Sequence, residues 1–147
     1  DAGSGAVRFA NAGLTPPLLR RRDGRHEELT DGGPLLGVQE GARYPLGSTE
    51  LEPGDVLVVY TDGLSEAARA GEPFGDEQLW QVLDRHAHRR AADLLEELMT
   101  AVRAWADGPM DDLTIVVLKQ LARSRGAAGG ASRAALKQSP DVADTHG

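Results

Sequence analysis

The clearest hydrophobic pattern in this chain is the continuous apolar run Val56–Tyr60, which follows the turn-forming sequence Pro53-Gly54-Asp55. A continuous run rich in β-branched residues is typical of a strand buried on both faces, whereas a strand with one exposed face alternates polar and apolar positions. The pattern therefore predicts a central strand. Asp62 and Gly63 emerge where this strand ends, at the kind of loop position that often carries chemistry.

Shorter strands are predicted on either side of the central strand. Their apolar and β-forming residues cover positions 7–10, 17–22, 25–29, 44–51 and 113–118. Asp23-Gly24, between the second and third of these segments, suits a two-residue hairpin turn. Leu35-Leu36-Gly37 adds a brief apolar segment after the break at Gly32-Gly33-Pro34.

Beyond Asp62 the apolar spacing changes from that of strands to that of helices. One apolar face comprises Leu79, Val82, Leu83 and His86, and a second comprises Leu94, Leu95, Leu98, Val102 and Trp105. Positions three and four apart share a helix face, so two amphipathic helices are predicted. The first is expected to begin near Asp76 and the second after Arg89-Arg90, with Gly108-Pro109 stopping the second.

The length and composition predict one domain followed by a tail. A chain of 147 residues with 40% hydrophobic residues can form one modest core, which we assign to residues 1–120. From Leu121 onward Gly, Ala, Ser and Arg dominate, so residues 121–147 are predicted to be disordered. The chain lacks an initiator Met and leads at once into a strand-like sequence, so we expect a fragment cut inside a domain.

Charge and cysteine content narrow the classes of function. The net charge of -7 argues against a nucleic-acid partner, because phosphate backbones are bound by clustered Lys and Arg. The absence of cysteine excludes disulfides, thiolate zinc sites and cysteine nucleophiles. No apolar run approaches the roughly 20 residues that span a bilayer. We therefore expect a cytoplasmic protein with no membrane segment.

Two acidic motifs are the candidates for chemistry. Asp62 follows the central strand, and Asp111-Asp112 precedes the last one. If these strands pair antiparallel, Asp62 and Asp111 would converge at one end of the sheet. Converging carboxylates repel one another unless a cation compensates, and oxygen ligands suit Mg²⁺ or Mn²⁺ better than zinc. Each motif alone is more often an ordinary turn or loop, so the hypothesis depends on both.

The other polar residues have simpler interpretations. Asp55 belongs to an ordinary turn, and Glu66 to the first turn of a helix, where the helix dipole favours an acid. The four histidines lack metal-binding spacing and a Gly-x-Ser-x-Gly partner, so we interpret them as surface or packing residues. Arg20-Arg21-Arg22 is interpreted as a solvated sheet edge, with a phosphopeptide contact as the alternative.

Five motifs in order resemble those of one protein family. They are Phe9-Ala10-Asn11-Ala12-Gly13 with Pro16-Pro17-Leu18-Leu19, Leu51-Glu52-Pro53-Gly54-Asp55, Tyr60-Thr61-Asp62-Gly63-Leu64-Ser65-Glu66-Ala67, Phe74-Gly75, and Asp111-Asp112-Leu113-Thr114. Together they resemble the metal-dependent (PPM-type) serine/threonine protein phosphatases, in their SpoIIE-like bacterial branch, over about residues 7–119. The resemblance implies an α+β fold, an α-β-β-α sandwich of two antiparallel sheets flanked by helices, here lacking its N-terminal part.

The resemblance also implies a mechanism and roles for individual residues. Asp62 and Asp111 correspond to metal ligands of a two-ion Mn²⁺ or Mg²⁺ centre, with Gly63 and Asp112 as weaker candidates and no catalytic residue beyond the metal ligands. Such a centre activates water to hydrolyse phosphoserine or phosphothreonine on a phosphoprotein, commonly an anti-sigma-factor antagonist.

Two departures from the family pattern qualify these implications. The family's Ala-Gly-His is Ala12-Gly13-Leu14 here, for which we expect altered loop packing. The family's N-terminal half, which carries an earlier metal-ligating aspartate, has no counterpart in this chain. We therefore expect the chain alone to bind metal poorly and to hydrolyse little.

Two other classes of function remain open. One is a non-catalytic phosphoprotein-binding module on the same sandwich. The other is a DNA-binding helix pair, which is less favoured because Asp93, Glu96 and Glu97 make the second helix acidic.

Overall fold

The computed structural model describes residues 4–121. The tail predicted over residues 121–147 therefore lies, except for Leu121, outside the described residues. The strands are β1 (Ala6–Phe9), β2 (Asn11–Ala12), β3 (Leu18–Arg20), β4 (His26–Glu28), β5 (Gly32–Gly33), β6 (Gly47–Glu50), β7 (Val56–Tyr60), β8 (Ala68–Arg69), β9 (Glu72–Pro73) and β10 (Ile115–Lys119). The helices are α1 (Asp62–Ser65), α2 (Gly75–His86) and α3 (Ala91–Trp105).

Strand β7 is the inner strand of a four-stranded antiparallel sheet with the order β10-β7-β3-β4. Val58 pairs with Val117 on one side and with Leu18 on the other. Every residue of β7 except Val59 is buried. The predicted central strand is confirmed, because its alternate side chains fill apolar clusters on both faces of the sheet.

Helices α2 and α3 cover one face of this sheet. Their fully buried residues are Leu79, Leu83, Leu94, Leu98 and Val102, and they pack in one cluster with Val56, Val58 and Tyr60. The two predicted amphipathic helices are confirmed. Helix α2 begins at Gly75, one residue before the expected start, and α3 begins directly after Arg90 as expected.

The opposite face of the sheet carries a smaller cluster of Leu19, Leu29, Leu51 and Leu57. Val7 and Phe9 of β1 pack against it, and β1 pairs antiparallel with β6. The predicted combination of antiparallel sheets and helices is thus confirmed. A short parallel pairing of β2 with β5 was not predicted from the sequence.

The predicted hairpin between β3 and β4 is present, but its loop has three residues rather than two. The Arg21 amide donates to the Arg25 carbonyl (2.8 Å), and the Gly24 amide donates to the Arg21 carbonyl (3.0 Å). Gly24 has φ +91°. This combination is a turn followed by a left-handed glycine, the usual form of a three-residue hairpin loop.

Several predicted apolar segments are shorter or more exposed than expected. Strand β6 covers only Gly47–Glu50 of residues 44–51, and Pro45, two residues before it, has no amide hydrogen to donate to a ladder. The last strand is shifted to Ile115–Lys119. Leu35 and Leu36 are 56% and 74% exposed, so the predicted apolar segment does not join the core.

The interpretation of the arginine triplet as a solvated sheet edge is wrong for two of its members. Strand β3 lies inside the sheet, and the side chains of Arg20 and Arg21 are only 15% and 18% exposed. Arg21 forms two 2.8 Å bonds to Glu27, which raise the pKa of Arg21 and lower that of the carboxyl group. Its Nη1 also donates to buried Asp55 (3.0 Å).

Asp55 joins the turn before β7 to the end of β3. Besides Arg21, its carboxylate accepts hydrogen bonds from the amides of Arg22 (2.8 Å) and Glu52 (3.0 Å). A buried carboxylate with this many donors is a structural connection, because removing any donor leaves charge unsatisfied.

Over residues 4–121, no helix is long and apolar enough to cross a bilayer.

Candidate metal centre

The two acidic motifs lie at the same end of the antiparallel pair β7 and β10. Tyr60 pairs with Ile115, and the Thr61 amide beyond it donates to the Thr114 carbonyl (3.1 Å). The chain leaves β7 through Asp62 at the point where the segment containing Asp111 enters β10. The antiparallel pairing on which the hypothesis depended is present, and it brings these two segments together.

Asp62 is the first residue of the short helix α1. Thr61 precedes it in an extended conformation (φ -90°, ψ 158°), and fully buried Leu64 anchors the helix against the core. The Glu66 amide donates to the Asp62 carbonyl (2.8 Å). Glu66 therefore lies at the C-terminal end of α1, and the interpretation as a first-turn residue is wrong.

Gly63 permits the close approach of the two segments. A Cβ atom built on Gly63 would lie 2.7 Å from the Asp112 carbonyl oxygen, closer than real Cβ contacts allow. Gly63 has no left-handed φ, so the absence of a side chain, rather than a special turn conformation, explains glycine here.

Thr61 also connects the two segments, a role that the sequence analysis did not identify. Its Oγ1 donates to the Asp112 carbonyl (3.2 Å) and accepts a hydrogen bond from the Thr114 amide (3.0 Å). A threonine directly before an Asp-Gly pair at a strand end was the available signal. Its partners lie 51 and 53 positions away, so their identity required the strand register.

The carboxylates of Asp62 and Asp111 each retain capacity to accept further ligands. Asp62 Oδ1 accepts from the Gly63 amide (2.9 Å), and Asp111 Oδ1 accepts from the Asp112 amide (2.7 Å). Asp62, Asp111 and Asp112 are all exposed, and none forms an ion pair with another residue in the described part of the chain. Exposed carboxylate oxygens are the donors that hard divalent cations prefer.

No group of three or more His, Cys, Asp or Glu side chains with metal-binding proximity occurs among residues 4–121. The ligand roles of Asp62 and Asp111 therefore stay predictions, as do the weaker candidacies of Gly63 and Asp112. For Asp112, the main-chain carbonyl is already the acceptor of the Thr61 hydroxyl.

The first turn of α2 is hydrogen-bonded to this end of the sheet. The Tyr60 hydroxyl donates to Asp76 Oδ1 (2.8 Å). Burial, and next the hydrogen bond to Asp76, raise the pKa of Tyr60. Tyr60 therefore holds its proton and fixes the last residue of β7 against the first turn of α2.

Comparison with known proteins identifies the family. Residues 1–120 match the family described as Stage II sporulation protein E (SpoIIE). The chain is 24% identical over 114 residues to the phosphoserine phosphatase RsbU of Bacillus subtilis, covering 76% of this chain and 34% of that protein. It spans about a fifth to a third of the length of the curated relatives that it matches.

Solved structures agree with this match. The PP2C phosphatase domain of SpoIIE from Bacillus subtilis aligns with a TM-score of 0.62 at 22% identity, over 79% of this chain and 34% of that one. The RsbU and RsbW domains of a Mycobacterium tuberculosis protein align with a TM-score of 0.60 at 31% identity, over 81% and 33%. The likeness to SpoIIE supports the fold, and the family match extends over nearly all described residues. This chain therefore belongs to the SpoIIE family and is a SpoIIE-like region of the PPM-type phosphatases.

Proposed function

We propose that this chain forms part of the metal centre of a protein phosphatase that hydrolyses phosphoserine or phosphothreonine. Asp62 and Asp111 are the proposed ligands of two Mn²⁺ or Mg²⁺ ions. The observation that carries the proposal is the contact between Gly63 and Asp112, which brings the two acidic segments together at one end of the sheet.

The chemistry of the donor set fits such ions. Asp62 and Asp111 offer carboxylate oxygens at an exposed edge, and both lack a positively charged side-chain partner among residues 4–121. Thiolate ligands that would favour zinc do not occur, because the chain has no cysteine. Oxygen-only sites of this kind suit Mg²⁺ and Mn²⁺.

The residues of this chain would act mainly by positioning. Thr61 and Gly63 bring the two acidic segments together through contacts within the protein itself, and preorganisation of this kind reduces the cost of assembling a site. When bound, two divalent ions would supply an activated water and positive charge for the phosphoryl oxygens. No cysteine or serine nucleophile of the protein is then required.

The remaining ligands and the substrate surface are proposed to lie outside this chain. The chain covers about a third of the SpoIIE and Mycobacterium tuberculosis structures that it resembles. The relative RsbU carries the name phosphoserine phosphatase, which supports phosphoserine as the group that is hydrolysed. An anti-sigma-factor antagonist is the proposed substrate class.

The proposal is tested in the intact protein by hydrolysis of an aryl phosphate with and without added Mn²⁺ or Mg²⁺. Asp62→Asn and Asp111→Asn should each abolish the metal-dependent rate and weaken metal binding measured by calorimetry. Asp31→Asn is a matched control, because exposed Asp31 lies outside the candidate centre and its side chain forms no hydrogen bond or ion pair within residues 4–121. Full turnover in Asp62→Asn, or in excess chelator, would contradict the metal mechanism. Phosphoprotein binding without hydrolysis would favour the non-catalytic binding module.

A further inference from the structure

A second charged site lies at the opposite end of β7 and β10 from the candidate metal centre. We name it the basic pocket; its lining residues are Arg20, Arg22, Gly54, Asp84, Ala87, His88 and Lys119, around a volume of about 380 Å³. Lys119 pairs with Val56, whereas Ile115 pairs with Tyr60 beside the acidic segments. Four residues of antiparallel strand separate these ends by roughly 14 Å.

Positive charge exceeds negative charge in the basic pocket. Arg20, Arg22 and Lys119 contribute three cations, whereas Asp84 is the one carboxylate of the lining. The whole chain has a net charge of -7, so this local excess runs against the overall balance. Lys119 is partly buried and forms no ion pair with a carboxylate among residues 4–121. A partly desolvated cation without counter-charge favours binding of an anion.

Two of the cations are held in place by the protein itself. Lys119 Nζ donates to the carbonyls of Ala87 and Arg89 just after α2, and Arg20 Nε donates to Asp84 (2.7 Å). Burial, and next the nearby Arg20, lower the pKa of Lys119. An anion placed between these two cations would relieve their repulsion.

The other two donors are uncommitted. Within residues 4–121, the Arg22 guanidinium and the His88 ring form no hydrogen bond or ion pair. The aliphatic part of Arg22 lies beside Gly54, where a built Cβ would come within 3.0 Å of Arg22 Cγ. The backbone amide of Arg22 is bound by Asp55 (2.8 Å). The backbone and the aliphatic part of Arg22 are thus held in place, whereas its guanidinium is free to bind a ligand.

We infer that the basic pocket binds a phosphate dianion, either free phosphate or a phosphate monoester, through Arg22 and His88. Arg20 and Lys119 supply the surrounding positive charge. A planar guanidinium matches the geometry of phosphate oxygens and binds them through paired hydrogen bonds. This site is separate from the proposed metal centre and does not depend on its chemistry.

The test is titration of the intact protein with inorganic phosphate and with O-phosphoserine, at constant ionic strength and with chelator present. Calorimetry should give saturable binding that Arg22→Gln weakens by about tenfold or more. His88→Asn should also weaken it. Arg25→Gln is the matched control, because Arg25 lies in the same hairpin but pairs with Asp23 (2.8 Å) and does not line the basic pocket.

The results separate this inference from the proposed function. Binding in chelator that is unchanged by Asp111→Asn would support the basic pocket, whatever the fate of the metal mechanism. Tighter binding of O-phosphoserine would identify a monoester as ligand, and tighter binding of inorganic phosphate would identify the free ion. Absence of saturable binding, equal weakening by Arg25→Gln, or unchanged affinity in a folded Arg22→Gln variant would overturn the inference.

Discussion

Gly63 and Asp112 approach each other so closely that a methyl group on Gly63 would lie 2.7 Å from the Asp112 carbonyl oxygen. Gly63 belongs to the helix that follows β7, and Asp112 to the segment that enters β10. The meeting of the two acidic segments therefore depends on a residue without a side chain. This contact makes the local stability and the proposed metal centre sensitive to the same position.

Gly63→Ala is expected to destabilise the protein and to reduce the proposed phosphatase activity. In an unobstructed helix the change would be stabilising by about 1 kcal/mol, because alanine has the higher helix propensity. Here the backbone of Asp112 must move, and overpacking of this kind costs about 1–3 kcal/mol. The free energy of unfolding in urea and the metal-dependent rate measure the two effects.

Gly108→Ala is the control for this prediction. A Cβ atom on Gly108 would meet nothing within 4 Å, and its φ is not left-handed. The free energy of unfolding of Gly108→Ala should stay within about 0.5 kcal/mol of that of the original protein, as for ordinary surface changes. If both alanine variants behave alike, the contact with Asp112 does not hold the segments together.

Thr61→Val is expected to loosen the same junction without changing side-chain volume. The substitution removes the hydroxyl that binds the Asp112 carbonyl and the Thr114 amide. Loss of these bonds at a partly solvated site should cost about 1 kcal/mol and lower the proposed activity. Thr61→Ser, which keeps the hydroxyl, should retain most of both. Equal loss in the two variants would assign the effect to the methyl group instead.

The carboxylate of Asp84 predicts a defined acid dependence of stability. Burial raises the pKa of Asp84, but hydrogen bonds from His26 and Arg20 outweigh burial and leave the pKa below its ordinary value of 3.8. The folded protein thus binds this proton less tightly than the unfolded chain does. The stabilisation is fully present above about pH 3.8 and is lost as the pH falls through the folded pKa.

Urea unfolding of the original protein and of Asp84→Asn between pH 3 and pH 6 tests this dependence. The difference in free energy of unfolding should be greatest near the upper limit and should shrink as the solution becomes more acidic. Asp31→Asn, which removes an exposed carboxylate without a partner among residues 4–121, should show no such trend. A difference between the original protein and Asp84→Asn that does not change with pH would contradict the assignment.

How much of this fold the sequence predicted depends on how far apart along the chain the interacting residues lie. Val56–Tyr60 was recognisable because a five-residue apolar run needs burial on both sides wherever it lies. Helix α1 was missed because its four residues are too few for any periodicity, although Leu64 within it is fully buried. The predicted hairpin loop was one residue shorter than the observed loop, because Asp23-Gly24 also suits a longer loop.

The candidate site was predictable only in outline. Neighbouring strands were enough to bring Asp62 and Asp111 to the same end of the sheet, since antiparallel pairing fixes which strand ends meet. Thr61 was not identified because its hydrogen bonds depend on an exact register with a strand more than 50 residues away. Burial of Arg20 and Arg21 was likewise hidden, because the order of strands in the sheet decides whether β3 is an edge.

Ala70 is in the left-handed region that alanine rarely adopts, with φ +51°, and Gly71 follows with φ +85°. These two residues form the loop between β8 and β9, where both central positions require positive φ. A left-handed alanine costs about 1–2 kcal/mol, and asparagine tolerates this conformation better. The Ala70 amide donates to Asp107 Oδ2 (2.8 Å), and any residue except proline keeps this bond.

Ala70→Asn should therefore stabilise the protein by about 0.5–1 kcal/mol, and Ala70→Val should destabilise it by a similar or larger amount. Thermal and urea unfolding of the three proteins measure the order of stability. The opposite signs of the two stability changes are informative, because both substitutions enlarge an exposed side chain and differ chiefly in their tolerance of positive φ. If asparagine and valine shift stability in the same direction, side-chain size rather than backbone conformation governs this turn.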